Sequence, residues 1–293
     1  MTSTLLSMIS DVERKETIRF IVDRRCASGG YCHYRLDEPN AADTFFALDT
    51  LRILGALAPD PTTDDFLLRM QQSDGRYPTF YAGAYVLRCL ALIGKEPAAD
   101  PYPWLRSFDP IRGSDERPVE SASVFERTCT HLNLCRTLGI HPDKPLGNAV
   151  LEHLRTHHHP GGGFGHRHSS LIETAHALAI LDLLGEPHGR FEAELFLRRC
   201  EDATFGYLNT PGATPAYLEH LAAGVECAVL TGRPPRFPER CRIFVNECRN
   251  ANGGYSRSIF GGISTLENTH LAIRTLALMN QTENLWRNQH DRD

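Results

Sequence analysis

The sequence predicts an all-α fold, an α/α toroid (α6–α6 barrel) of about six helix-pair repeats, and three observations point to it. One apolar phrase returns six times along the chain. More polar helical stretches lie between its copies. Glycine-rich turns carrying an aromatic residue precede several of those copies.

The recurring phrase opens on an acidic or small residue, runs through an apolar helical stretch and closes on glycine. Its copies are Asp43 to Gly55, Ala82 to Gly94, Glu126 to Gly139, Glu173 to Gly185, Glu219 to Gly232 and Glu267 to Asn280. The starts are roughly 39 to 48 residues apart, the range of helix-pair repeats. Each copy places apolar residues at i, i+3, i+4 and i+7, so each reads as a helix. The closing glycine, or finally Asn280, adopts the left-handed conformation that stops one.

The intervening stretches Thr62 to Gln72, Leu146 to His158, Gly189 to Asp202 and Phe237 to Asn250 carry Arg and Glu on one side. They read as outer partners with a solvated face, around inner helices packed on all sides. The segment from Asp100 to Pro118 is rich in proline and predicts a short helix and loop. The turns are Gly29-Gly-Tyr31, Asp74-Gly-Arg-Tyr77, Gly161-Gly-Gly-Phe164 and Gly253-Gly-Tyr255. Glycine supplies the tight backbone turn there, and the aromatic fills the gap between neighbouring helix pairs. The repeats span residues 1–293, which are expected to form a single toroid domain.

Hydrophobic residues make up 41% of the chain and charged residues 23%, and the formal charge is −5. That balance provides no basic footprint for nucleic acid or an anionic membrane. Asp11, Glu13, Arg14, Lys15 and Glu16 interrupt the N-terminal region before any long apolar run, so no signal-peptide core is read there. No stretch reaches the ~18 apolar residues of a transmembrane helix. The expected location is cytoplasmic. Nine cysteines without a Cys-x-x-Cys pair argue against a disulfide scaffold and a cysteine-rich structural zinc site.

Three phrases carry a family resemblance: Gly-Gly-Tyr31 before Asp43-Thr-Phe-Phe-Ala-Leu-Asp-Thr-Leu, Gly-Gly-Gly-Phe164 before Glu173-Thr-Ala-His-Ala-Leu, and Gly253-Gly-Tyr before Leu266-Glu-Asn-Thr-His-Leu. Through such prenyltransferase/squalene-oxidase-type repeats the sequence resembles the terpenoid cyclase and protein prenyltransferase α/α-toroid superfamily. The resemblance implies a helical barrel whose cavity receives an isoprenoid or similarly greasy chain. It also implies one of two chemistries: a catalytic zinc held by an Asp-x-Cys pair and a later His, with a basic diphosphate clamp, or an Asp-x-Asp-Asp acid that starts cyclisation. This chain departs from both. It has no Asp-x-Asp-Asp motif. Its fifth repeat reads Tyr217-Leu-Glu219-His220, with Cys227 further along, and Tyr207 to Pro215 holds no Lys or Arg. His270, three residues after Glu267, is the position that matches the family's zinc histidine.

In a toroid, equivalent positions at the starts of inner helices converge on one rim. Those positions hold Asp43, Glu126, Glu173, Glu219 and Glu267. Carboxylates in a first turn either complement the helix dipole or, where desolvated, must be capped, protonated or bound to metal. Glu173 with His176 and Glu267 with His270 are i, i+3 pairs, each on one helical face, and Glu219 with His220 lies between them in repeat order. Two such pairs can build a metal site for zinc or iron, with His176, Glu219, His220 and His270 as candidate ligands. The same acids and histidines equally allow metal-free proton transfer, with Glu173, His176, Glu219, Glu267, His270 and Asp43 as catalytic candidates. Phe46, Tyr81 and Tyr85 are candidate cavity walls for a lipophilic substrate, Cys129 a candidate thiolate, and Arg35, Arg76, Arg167 and Arg257 a candidate rim for an anionic group. The histidines from His157 to His159, with His166 and His168, read as a solvated helix end or as loop contacts to such an anion.

The leading expectation is an enzyme, similar to a terpene cyclase or prenyltransferase, acting on an isoprenoid-derived small molecule with acid or metal assistance. Zinc-dependent prenyl transfer with altered ligands and a non-catalytic carrier or interaction scaffold are the alternatives. A monomer or homo-oligomer without an obligatory second subunit is expected.

Overall fold

Helices alternate between two kinds along the computed structural model, which describes residues 9–34, 36–111 and 123–290, with side chains described as far as residue 281. The described helices are α1 (Asp11–Val22), α2 (Ala41–Ile53), α3 (Pro61–Arg69), α4 (Phe80–Ile93), α5 (Tyr102–Arg106), α6 (Glu126–Thr137), α7 (Lys144–Thr156), α8 (Leu171–Leu184), α9 (Glu194–Cys200), α10 (Leu218–Thr231), α11 (Pro238–Glu247) and α12 (Leu266–His290). The even-numbered helices are the six apolar copies. The odd-numbered ones are the polar partners. A two-residue antiparallel pair, β1 (Glu201–Asp202) and β2 (Gly206–Tyr207), follows α9.

Local chemistry sets the ends of the apolar helices. Asn40, Thr79 and Ser170 cap α2, α4 and α8 by accepting the N–H of the third helical residue. Gly94, Gly185 and Gly232 close α4, α8 and α10 with φ of 68°, 71° and 67°. Helix α12 differs from the sequence expectation, running beyond Asn280 to His290. No glycine follows Asn280, and Gln281, Thr282 and Glu283 can all continue a helix, so nothing there stops it.

The glycine-aromatic turns form one repeated clip. Tyr31 bridges Arg25 to Asn40, Phe164 bridges His158 to Ser170, and Tyr255 bridges Arg249 to Thr265. The N–H of each aromatic donates to a threonine in the next apolar helix: Tyr31 to Thr44 at 3.0 Å, Phe164 to Thr174 at 3.0 Å, Tyr255 to Thr269 at 3.1 Å. Each threonine hydroxyl in turn donates to a backbone carbonyl one turn earlier, at Asn40, Ser170 and Thr265. All three threonines are fully buried, so the clip leaves no polar atom of theirs unpaired. Gly163 shows why glycine is needed: its φ is 74°, and a Cβ there would stand 2.5 Å from the Phe196 ring. Burying an aromatic such as Phe164 contributes roughly 2–3 kcal/mol.

Two units emerge from the contacts, residues 1–108 with 248–277, and residues 109–247 with 278–293. In the first, α2 packs against α4, α3 against α4 and α1 against α2. In the second, α8 packs against both α6 and α10, and α10 meets α9 and α11. The proline-rich segment forms α5 and a turn through Ile111, while residues 112–122 lie outside the described residues.

Candidate functional site

In the first unit three apolar helices bring charged and aromatic side chains together, from the buried Asp49 and His270 out to the exposed Arg52. Phe45, Phe46, Asp49 and Arg52 are spaced along α2 by three and four residues, Tyr85 and Arg88 stand one turn apart on α4, and His270 and Arg274 one turn apart on α12. Such spacings put each set on one helical face. Asp49 Oδ2 and His270 Nε2 are 2.8 Å apart, with side-chain exposures of 10% and 7%. The other carboxylate oxygen, Oδ1, accepts from Arg52 at 2.8 Å and 2.6 Å. Burial pushes the Asp49 carboxyl up, but the hydrogen bond from His270, its charge and Arg52 prevail and hold it down at about 2. Burial pushes His270 down against the pull of Asp49, so the imidazole is neutral at neutral pH. Nε2 therefore carries the hydrogen and donates it to an ionised Asp49. His270 Nδ1 keeps its lone pair, and among the described residues it has no partner.

Aromatic rings enclose this dyad. His270 lies 5.6 Å from Phe45 and 5.4 Å from Phe46, and Tyr85 lies 5.7 Å and 5.5 Å from the same two rings. The Arg88 guanidinium stands 3.8 Å over the Phe45 face and 5.9 Å from Tyr85. Positive charge on either the imidazole or a substrate would meet the negative faces of these rings.

The second unit holds a different arrangement. His176, halfway down the first turns of α8, is pushed down by burial while the carboxylates of Glu226, Glu126 and Glu173 pull it up. Its Nδ1 also has no partner among the described residues. Glu173 is a first-turn acid bonded to its helix's N-cap: Ser170 Oγ donates to it at 2.8 Å and accepts the Glu173 N–H at 3.2 Å. It further accepts the backbone N–H of His166 at 3.1 Å and, weakly, that of Val124 at 3.5 Å. Glu173 thus ties two loops to the start of α8.

The remaining candidates fall as follows. Asp43 accepts from Asn40 Nδ2 at 2.7 Å and from the His33 N–H at 3.0 Å, which makes it a loop clip in the first unit. Glu267 is exposed and Glu219 half-buried. His220 Nδ1 accepts the Tyr217 N–H at 3.2 Å, so that histidine caps α10. Tyr81 packs edge-on against Phe80, whereas Phe46 and Tyr85 belong to the aromatic enclosure. Arg76, Arg167 and Arg257 are exposed, and Arg35 lies outside the described residues. Cys129 is buried.

A metal was the alternative role for the histidines. Among the described residues no three His, Cys, Asp or Glu side chains converge as a group able to hold one. The donors are also committed elsewhere: Nδ1 of His220 to a backbone N–H, Nε2 of His270 to Asp49, and the Glu173 oxygens to Ser170 and loop amides. These residues as arranged do not fit zinc or iron. A cavity of about 620 Å³ in the second unit, lined by Leu178, Phe191, Leu197, Tyr207 and Ala228, takes in His158 of the histidine run but none of the catalytic or metal candidates.

Asp49, Arg88, Arg274 and Glu226 were not singled out by sequence reasoning. Their signal was present: each is a charge inside a largely apolar helical run, six or seven residues after the repeat's opening position. Burying a charge is costly unless it is partnered or used, so an interior charge on an apolar helix marks a site better than a first-turn acid does.

No curated protein matches the sequence. Protein geranylgeranyltransferase-I of Candida albicans, solved in complex with GGPP, superposes with a TM-score of 0.64 at 13% identity, over 92% of this chain and 91% of that one. A protein from Actinoplanes superposes with a TM-score of 0.56 at 17% identity, over 92% of this chain and 98% of that one. These likenesses show the fold, an all-α α/α toroid. Residues 1–92 and 128–292 match the family described as the prenyltransferase alpha-alpha toroid domain, and the chain belongs to that family.

Proposed function

We propose that this protein is an enzyme that acts on a lipophilic, isoprenoid-derived small molecule by metal-free proton transfer, with His270 as the proton-transfer group and Asp49 as its positioning partner. The observation that supports this reading is the buried Asp49–His270 hydrogen bond inside the Phe45, Phe46 and Tyr85 enclosure. Asp49 fixes the tautomer, so the free lone pair sits on Nδ1. From there it takes a proton from the carbon beside the cationic centre formed when the substrate's allylic C–O bond breaks; the C–O electron pair leaves with the oxygen group, and the C–H electron pair becomes a C=C bond. Asp49 then stabilises the imidazolium formed, and the surrounding rings favour positive charge at the same place. Apolar walls keep water from competing for the cation.

The reading takes residues 1–293 as one toroid domain working in the cytoplasm without an obligatory second subunit. Among the described residues no helix is long and apolar enough to cross a membrane. A carrier reading has its own support, because Asp43 and Glu173 spend their carboxylates on capping and loop contacts. Zinc-dependent prenyl transfer has less, given how the histidines are engaged.

The test is turnover of a panel of polyprenyl alcohols, acids and diphosphates, with products resolved by mass spectrometry. Wild-type protein should convert at least one member, and His270→Gln should lower that rate by roughly 10²–10⁴-fold. Unchanged turnover in His270→Gln defeats the reading. Saturable binding with no product from any member supports the carrier. Stoichiometric zinc in protein purified without tag or chelator, removed together with activity, supports the metal alternative.

A further inference from the structure

Among the described residues, Arg88 is an interior charge of the first unit that no carboxylate contacts directly. The neighbouring Arg52 is held by Asp49, and Asp49 is in turn saturated by Arg52 and His270. Arg88 is half-buried, stands 3.8 Å over the Phe45 face, and among the described residues makes no hydrogen bond or ion pair. Arg24 lies over Phe20 at 3.5 Å and also donates to the Phe20 carbonyl at 2.6 Å. Arg88 has the ring but no acceptor.

No Arg88 nitrogen is among the buried polar atoms left without a partner in the described residues. The half-buried fork therefore keeps an edge open to solvent, where a ligand oxygen can replace water in a charge-assisted hydrogen bond. Burial pushes the Arg88 pKa down, in keeping with that partial loss of solvent, while Tyr85 and Asp49 pull it back up. Its stacking on Phe45 fixes the plane of the fork and leaves the N–H edge to meet a ligand. That edge offers two parallel donors, which match the two oxygens of a carboxylate. A diphosphate presents more oxygens and more charge than one fork can satisfy, and it would be set near the ionised Asp49. The walls beside the fork, Phe45, Phe46 and Tyr85, are aromatic, and the other cation that acts on Arg88 is Arg274, one turn from His270 on α12.

We propose that Arg88 is the receptor for the carboxylate of an amphiphilic substrate, whose hydrocarbon part lies against Phe45, Phe46 and Tyr85 beside His270. The site thereby selects a lipophilic monocarboxylic acid over the corresponding alcohol and over the corresponding diphosphate. This assignment rests on the reading of the same enclosure as the substrate site, but it concerns binding and not the proton transfer.

Isothermal titration with farnesoic acid, farnesol and farnesyl diphosphate tests it on the full chain. Wild-type protein is expected to bind the acid at least tenfold more tightly than either of the others. Arg88→Met should weaken the acid at least tenfold and leave farnesol unchanged. Arg88→Lys keeps the charge without the fork and should fall between the two, and it serves alone if the methionine variant does not fold. No saturable binding of the acid, a diphosphate that binds more tightly, or acid affinity unchanged in both variants overturns the assignment. His270→Gln separates the two claims, because it should lower turnover by roughly 10²–10⁴-fold while acid affinity stays within about twofold. If acid binding depends on Arg88 but nothing is turned over, the enzymatic reading fails and the carboxylate receptor stands.

Discussion

The two units treat a buried histidine in opposite ways. In the first, His270 is hydrogen-bonded at 2.8 Å to an aspartate that is itself held by Arg52, so orientation and tautomer are set by contact. In the second, His176 feels Glu226, Glu126 and Glu173 through space, and its Nδ1 has no partner among the described residues. A hydrogen bond gives direction and a field does not, so only the first arrangement prepares a particular nitrogen for chemistry. The acids differ in the same sense. Asp43 and Glu173, at helix starts, are absorbed by backbone amides and caps, whereas Asp49, mid-helix, has no backbone donor to satisfy it and turns to another helix's side chain.

The largest expected break of that contrast comes from Asp49→Ala. The change leaves the buried His270 N–H without an acceptor and should cost about 2–3 kcal/mol, read as a lowered denaturation midpoint. His176→Leu should cost under about 1 kcal/mol, because it removes a polar atom that makes no hydrogen bond. Equal losses in the two variants would mean that the contrast is not energetic.

Acid should erode both units together. His131, on α6, is pushed to about 4, first by burial and then by Arg127. Unfolded, it titrates near 6.5, so between 6.5 and 4 the unfolded state binds the extra proton. Its contribution is complete above pH 6.5 and falls away as the pH drops through that window, by about 3 kcal/mol. His270 and His176 are also pushed down and act in the same direction. Urea titrations from pH 7 to pH 4 should therefore show steadily falling stability, with His131→Leu flattening part of the fall.

The clip is predicted to be equivalent in both units. Gly163→Ala meets the Phe196 ring and a positive φ, and should cost about 1–3 kcal/mol. Gly30→Ala, against Phe66 in the first unit, should cost a similar amount. The smallest effects belong to first-turn acids: Glu173→Gln about 1 kcal/mol through weakened hydrogen bonds to Ser170 Oγ and the His166 N–H, and exposed Glu267→Gln within about 0.5 kcal/mol. If Glu267→Gln instead abolished turnover, the centre of the chemistry would move from the helix interior to the rim.

Much of the architecture was legible in residue order, because periodicity, caps and closing glycines act within a few residues of each other. The six apolar helices, their start positions to within about two residues, and the turn motif all follow from such local rules. The end of α12 was misplaced because asparagine permits a stop without enforcing one. His270 could be nominated from the sequence by its place in the repeat, yet its partner could not. Asp49 and His270 are 221 residues apart, and no spacing rule joins them.

Sequence alone thus determined the repeating helices and the residue types available to the interior, since hydrophobic burial and capping are local in their demands. Tertiary structure decided which acids are spent on backbone amides and which meet a histidine or leave an arginine unanswered. Those outcomes depend on which helix faces pack together, and the cost of an unpaired buried charge is set by neighbours brought from far along the chain.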